Sequence, residues 1–325
     1  MLFKRWITAI VLIPFLLLIL LKGSALAFSF LMIAIILVSM QEYFTIVSPS
    51  DFFLCSCEKM SSDLSITSSP LDGSSEIDGS SETSFLSDLS NTYEKNTFFN
   101  PASSSNCTIP LKIKFCGYAT SFLIIAAAYS DSAAMVVLII ALNIVAVFTI
   151  VIADFTLDSN LLDAVAKEIQ GVVYIPVFLC FLVFIRNSQD GATWIIWLWF
   201  IIAASDTGAY YCGTYLGKKP LAPQISPHKT MEGSVGGIAA AVATGSIFGL
   251  IYFPALPFSV LFLFAFTAAA AGQMGDLFES ALKRAGHIKD SGTILPGHGG
   301  ILDRIDGLIF AAPVAFIFQW VIINL

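Results

Sequence analysis

Between Asp276 and Asp306 the chain reads DLFESALKRAGHIKDSGTILPGHGGILDRID, a polar stretch set between two apolar runs. Carboxylates and cations mixed this densely suit chemistry on phosphate: hard oxygens hold a divalent cation, and Lys or Arg neutralises the phosphate charge. On a helix continuing out of the preceding apolar run, Asp276, Ser280 and Lys283 fall at i, i+4 and i+7. They share one face, with Arg284 beside them. Gly297-His298-Gly299-Gly300 supplies a bend whose backbone amides could approach phosphate. Asp303 and Asp306 then stand three apart at the head of the next apolar run, a spacing that suits magnesium and equally the positive end of a helix dipole. Arg304 and Lys289 would neutralise charge on the same phosphates. A solvated helix end with a surface salt bridge accounts for DxxxSxxKR taken alone. Glu279 and His287 are expected to be ordinary solvated side chains.

A second polar stretch, SDTGAYYCGTYLGKKPLAPQISPHKTMEGSVGG, runs from Ser205 to Gly237. Asp206 is read as ending one span. Ser226, Lys229 and Thr230 precede the head of the next, where helix amides could bind an anion. The glycines of GSVGG could instead serve close helix packing, and spacing alone leaves both readings open.

The elements that must position these residues are membrane helices. Hydrophobic residues make up 57% of the 325, charged residues 12%, and the mean hydropathy is +0.83. That excludes an ordinary soluble domain and predicts an all-α polytopic integral membrane protein. About nine transmembrane helices are expected, at 6–21, 25–40, 115–129, 133–153, 172–185, 193–204, 234–256, 257–275 and from about 307 to the C-terminus. The fifth is short for a bilayer and contains Pro176, and a polar connection over 154–170 precedes it. Trp194, Trp197 and Trp199 are expected at an interface or between helices. Ala25-Leu26-Ala27 after the first run resembles a signal-peptide processing site, but a second apolar run follows at once.

Residues 1–47 form an expected N-terminal hairpin that Glu42 closes, and 112–325 the membrane catalytic core. Between them, 48–111 is a serine-rich acidic insert, with sixteen serines and nine carboxylates against two lysines from Asp51 to Pro110. It cannot bury enough apolar surface to offset its ordering entropy, so it is expected to be disordered. Its charge equals the whole chain's −7, so the acidic balance describes the insert and not the substrate. The six cysteines lack metal-ligand spacing.

Lys218, Lys219 and Lys229 lie in one loop, and Lys283, Arg284, Lys289 and Arg304 in the loop two crossings later. The bias of basic residues toward the inside places both loops, the N-terminus and the insert on the cytoplasmic face.

The pattern SALKR, four residues, KD, then PGHGGILDRID resembles the phosphatidate cytidylyltransferase (CDP-diacylglycerol synthase) family. SPHKTMEGSVGG is similar to that family's SPKKTxEGxxGG, with His228 where lysine is common. The likeness covers about Ile185 to the C-terminus well, the first spans loosely and the insert not at all. It implies a magnesium-dependent reaction, with a second cation left open, in which the phosphate of phosphatidic acid attacks the α-phosphorus of CTP. It also implies that Asp276 and Asp303 hold the metal centre. The expected site is then Asp276, Lys283, Arg284, Lys289, Asp303 and Arg304 for catalysis. Ser226, Lys229, Thr230, Ser280, His298, Gly299 and Gly300 would hold substrate, and Asp276, Asp303 and Asp306 the metal. The expected partners are CTP and phosphatidic acid in the bilayer, with no nucleic acid; a homodimer is left open.

Four other readings compete, the plainest being a purely structural membrane protein, which leaves the loop chemistry unexplained. An ion or solute transporter would use the same charges as a pathway, although they sit in loops on one face and not within several spans. A CTP-dependent polyprenol kinase is the neighbouring enzyme. A CDP-alcohol phosphotransferase would need a DGxxAR run, which the chain lacks.

Overall fold

A computed structural model describes residues 14–48, 109–154, 160–292, 294 and 299–324. The acidic insert, the start of the first expected span and His298 lie outside the described residues. After helical residues 14–22 come α1 (Ala25–Val47), α2 (Leu111–Tyr129), α3 (Ala133–Ala153) and α4 (Asn160–Val172). A π-helical turn, Val173–Val177, joins α4 to α5 (Phe178–Asn187). Then follow α6 (Gly191–Leu216), strands β1 (Pro220–Ala222) and β2 (Ser226–Thr230), α7 (Met231–Tyr252), α8 (Phe258–Ala285) and α9 (Leu302–Asn324). Eight helical spans among the described residues are long and apolar enough to cross a membrane, and the chain is an all-α polytopic membrane protein.

Local chemistry sets the helix starts. Ser24 caps α1 by accepting from the Ala27 amide at 3.2 Å, and Ser132 caps α3 by accepting from Met135 at 3.3 Å. Pro110 and Pro257 precede α2 and α8, at positions where a missing amide proton costs nothing.

Two helix boundaries differ from the sequence expectation. The fifth span is not short: Leu161–Asn187 is one continuous 27-residue span. Its polar first half is helical because Glu168, fully buried, accepts from Asn143 Nδ2 at 3.2 and 3.3 Å. Asn143 Oδ1 in turn accepts from Thr120 at 2.7 Å. Pro176 is accommodated within the π turn, where the hydrogen-bond ladder is already interrupted. The sixth span does not end at Asp206 but runs to Leu216.

That extension rests on tertiary packing. A Cβ at Gly208 would meet Ala240, one at Gly236 would meet Cys212, and one at Gly237 would meet the Ser205 carbonyl. Small residues let the α6 and α7 backbones approach closely, so the GSVGG glycines do serve helix packing. At the far end of this helix pair, Trp197 is fully buried and donates from Nε1 to the Gly245 carbonyl at 2.7 Å. Trp194 packs beside it, so both tryptophans lie between helices.

A two-stranded hairpin is marginal by itself. Here β1 and β2 pair antiparallel, Pro220 opposite Thr230 and Ala222 opposite Ser226. Glu232 Oε2 accepts from the Lys218 and Lys219 amides at 3.0 and 3.1 Å, tying the hairpin to the head of α7. Arg284 Nε donates to the Ile225 carbonyl at 3.1 Å, tying it to the end of α8.

Candidate active site

A cavity of about 610 Å³ opens between α6, the hairpin, α7 and α8. Asp206, Tyr210, Ser226, Lys229, Thr230 and Asp276 all line it. Lys229 reaches from β2 to form an ion pair with Asp276 on α8, and its charge also acts on Asp206. Thr230 ends the strand and caps α7, accepting from the Gly233 amide at 3.1 Å. Gln273 Nε2 donates to Ser205 Oγ and to the Ser234 carbonyl, both at 3.1 Å, and its Oε1 accepts from Ser234 Oγ at 2.5 Å. One amide thus holds α6, α7 and α8 together at the cavity wall.

A second polar network lies further along α8. Lys283 Nζ is 2.7 Å from Asp303 Oδ1 and 2.5 Å from Glu279 Oε2. The other oxygen of Asp303 accepts from the Ser291 amide at 3.0 Å, Ser291 Oγ at 2.9 Å and the Gly300 amide at 2.9 Å. Gly299 holds φ at +82°, and a Cβ there would come within 2.8 Å of Asp303 Oδ2, so glycine answers both demands. Glu42, from α1, joins the same network. Its oxygens accept from the Ile301 amide at 3.0 Å, the Leu302 amide at 2.8 Å and Ser291 Oγ at 3.2 Å.

Asp306 connects the two parts. A Cβ at Gly275 would collide with the Asp306 carbonyl, so α8 and α9 touch at the residue next to Asp276. Asp306 accepts from the Gly307 amide at 2.7 Å, and the charges of Asp206, Asp276 and Asp306 act on one another. Lys229, Lys283 and Arg304 offset that repulsion. Among the described residues no three His, Cys, Asp or Glu side chains converge on a metal position. The donor chemistry nevertheless fits magnesium, which is usually held by one or two carboxylates completed by water and substrate phosphate.

The sequence-derived candidates thus divide. Ser226, Lys229, Thr230 and Asp276 meet at the cavity. Lys283, Asp303, Gly299 and Gly300 meet in the second network. Ser280 is half-buried on α8 one turn beyond Asp276; Arg284, Lys289 and Arg304 are exposed. Glu279 is not a solvated side chain, because it is fully buried against Lys283. Sequence reasoning missed Gln273, Glu42 and the place of Asp206 in the cavity wall. A polar residue inside an apolar run was the available signal for the first two.

Comparison with known proteins identifies the family of this sequence. The model of the cytidylyltransferase family matches residues 89–322. The phosphatidate cytidylyltransferase of Bacillus subtilis (strain 168) is 44% identical over 155 residues, covering 47% of this chain and 58% of that protein. That of Helicobacter pylori (strain ATCC 700392 / 26695) is 49% identical over 122 residues, 38% and 45% of the two chains. That of Staphylococcus aureus (strain COL) is 37% identical over 177 residues, 53% and 66%. The chain therefore spans between 45% and 66% of the length of these relatives. Because the family match takes in the SPHKT hairpin, both helices that carry the aspartates and most of the sequence, the chain belongs to the cytidylyltransferase family.

Proposed function

We propose that this protein is a phosphatidate cytidylyltransferase, which transfers CMP from CTP to phosphatidic acid and releases CDP-diacylglycerol and pyrophosphate. The observation that carries the reading is the cavity where Lys229 and Asp276 pair, because it gathers cation, carboxylate and hydroxyls at the ends of membrane-spanning helices. A nucleotide triphosphate reaches such a place from water, and a lipid phosphate reaches it from the bilayer. The loops that carry it lie on the cytoplasmic face by the charge bias of Lys218, Lys219, Lys229, Lys283, Arg284 and Lys289.

Transfer needs little from the protein in the way of proton chemistry. A phosphate oxygen of phosphatidic acid is already anionic and attacks the α-phosphorus of CTP. The bond from that phosphorus to the β-bridging oxygen breaks, and pyrophosphate leaves with the electron pair. Catalysis then reduces to positioning and charge neutralisation. Ser226, Lys229 and Thr230 bind phosphate oxygens from the hairpin, and Arg304 and Lys289 approach from the solvent side. Lys283 holds Asp303 in place. Asp276, Asp303 and Asp306 would hold magnesium, which when bound would neutralise triphosphate charge; Asp303 would have to exchange one of the four donor groups it meets among the described residues to reach it. The test is CTP labelled at the α-phosphate, incubated with purified protein, phosphatidate and magnesium. Label should become lipid-soluble, and label remaining in the aqueous phase would refute the reading.

A further inference from the structure

Glu42 stands outside the 89–322 stretch that defines the family match, as the one charged residue of α1. It is only 4% exposed, and no cation pairs with it among the described residues. A carboxylate buried in that way is costly unless hydrogen bonds satisfy its oxygens. Here three donors do so. The Ile301 and Leu302 amides stand just before and at the start of α9 with no partner inside the helix, and a negative charge at that end is favoured by the helix dipole. The third donor, Ser291 Oγ, lies between Glu42 Oε2 at 3.2 Å and Asp303 Oδ2 at 2.9 Å. Its single proton serves one carboxylate at a time.

The backbone around Glu42 is shaped to admit it. A Cβ at Gly292 would lie 2.5 Å from Glu42 Oε1, and one at Gly300 would lie 2.6 Å from Glu42 Oε2. A Cβ at Gly300 would come closer still to Ser291 Oγ, at 2.1 Å, so the two glycines leave room for Glu42 and for the Ser291 hydroxyl beside it. Neighbouring contacts fix where α1 stands: Tyr43 donates to the Lys167 carbonyl at 2.9 Å, and a Cβ at Gly286, just past the end of α8, would collide with the Ile46 carbonyl.

We infer that Glu42 is a positioning residue for the transfer reaction: through Ser291 and the head of α9 it fixes Asp303, and with it the Lys283 contact, relative to the cavity. The N-terminal helix is then part of the active centre and not an anchor alone. The inference rests on the proposed activity, but its structural half can be read without turnover. Glu42→Gln keeps the size of the side chain while replacing one accepting oxygen by a donor, which must then face a backbone amide or Ser291.

The experiment compares Glu42→Gln with the unaltered full chain in detergent, after confirming by thermal unfolding that both are folded. In the variant, hydrogen exchange at residues 299–303 should accelerate, while the α6–α7 helix pair stays protected. Per folded molecule, kcat should fall about ten- to a hundred-fold with KM for CTP nearly unchanged, because the cavity side chains do not touch Glu42. Ser291→Ala should lower kcat in the same way, and the double variant should lose less than the product of the two losses. Unchanged exchange at 299–303, or a folded Glu42→Gln protein with unaltered kcat, would overturn the inference. Should the unaltered chain itself fail to turn over, the proposed activity fails, and the exchange result alone decides whether Glu42 holds the loop.

Discussion

Lys229 on the hairpin strand pairs with Asp276 on α8, an ion pair that closes the cavity between two segments separated by the whole of α7. Its side chains are 30% and 36% exposed, so water screens the pair and its contribution to stability is about 1 kcal/mol or less. On the proposed reading it holds a cation and a carboxylate beside the same ligand. Lys229→Met should therefore leave the unfolding midpoint almost unchanged. The same variant should reduce kcat/KM for CTP by about ten- to a hundred-fold, the size of one lost charge-assisted contact. Steady-state kinetics with CTP varied at fixed phosphatidate measure this; a large fall in stability with normal kinetics would reverse the assignment.

Lys283 poses the opposite case. It lies between Glu279, whose side chain is 0% exposed, and Asp303, at 10%. Lys283→Met would leave two buried carboxylates without their cation, a loss of about 3–5 kcal/mol. Asp303→Asn keeps the shape and part of the hydrogen bonding, at about 1–3 kcal/mol. The expected order is a much lower unfolding midpoint for Lys283→Met, and for Asp303→Asn a mostly folded protein with little or no turnover. Thermal unfolding in detergent and the labelled-CTP assay separate the two; near-normal activity in Asp303→Asn would remove it from the site.

The described chain on either side of the insert is already joined, since the Ile109 amide donates to Ser48 Oγ at 3.2 Å. Long surface insertions add little to the free energy of closing a loop, each doubling costing about 0.6 kcal/mol. Deleting Asp63 to Asn96 should leave both the unfolding midpoint and the transfer rate close to those of the full chain. A well-folded deletion with lost activity would show that the insert takes part in the reaction.

Orientation is tested by labelling single cysteines placed at Ser74, Lys218 and Asp290 in a background without native cysteines. Lys218 and Asp290 are exposed, whereas the nearby Ser291 is buried and unsuitable. All three should react from the cytoplasmic side. Reaction of Lys218 and Asp290 from opposite sides would break the topology.

Much of the placement of the candidate site was legible from local pattern. The i, i+4, i+7 spacing placed Asp276 and Lys283 on a helix running out of the membrane span, and α8 does continue to Ala285. The SPHKT run marked the head of α7. What escaped was tertiary. DTGAYYCGTY reads as polar loop because its helix is held by a glycine seam against α7 and not by an apolar run of its own. Glu168 made its segment look like a connection because Asn143, its partner, stands 25 residues away. Glu42 looked like the end of a hairpin, since its three donors lie some 250 residues further along the chain. No local rule reaches that far.

The central claim is nucleotidyl transfer to a lipid, and the most direct measurement runs two labelled substrates in parallel. Purified protein, phosphatidate and magnesium are incubated with CTP labelled at either the α- or the γ-phosphate. The account predicts that α-label enters the lipid phase while γ-label appears in pyrophosphate, with both signals lost in Asp276→Asn. Entry of γ-label into lipid would mark a kinase and contradict the account, as would the absence of any lipid-soluble label.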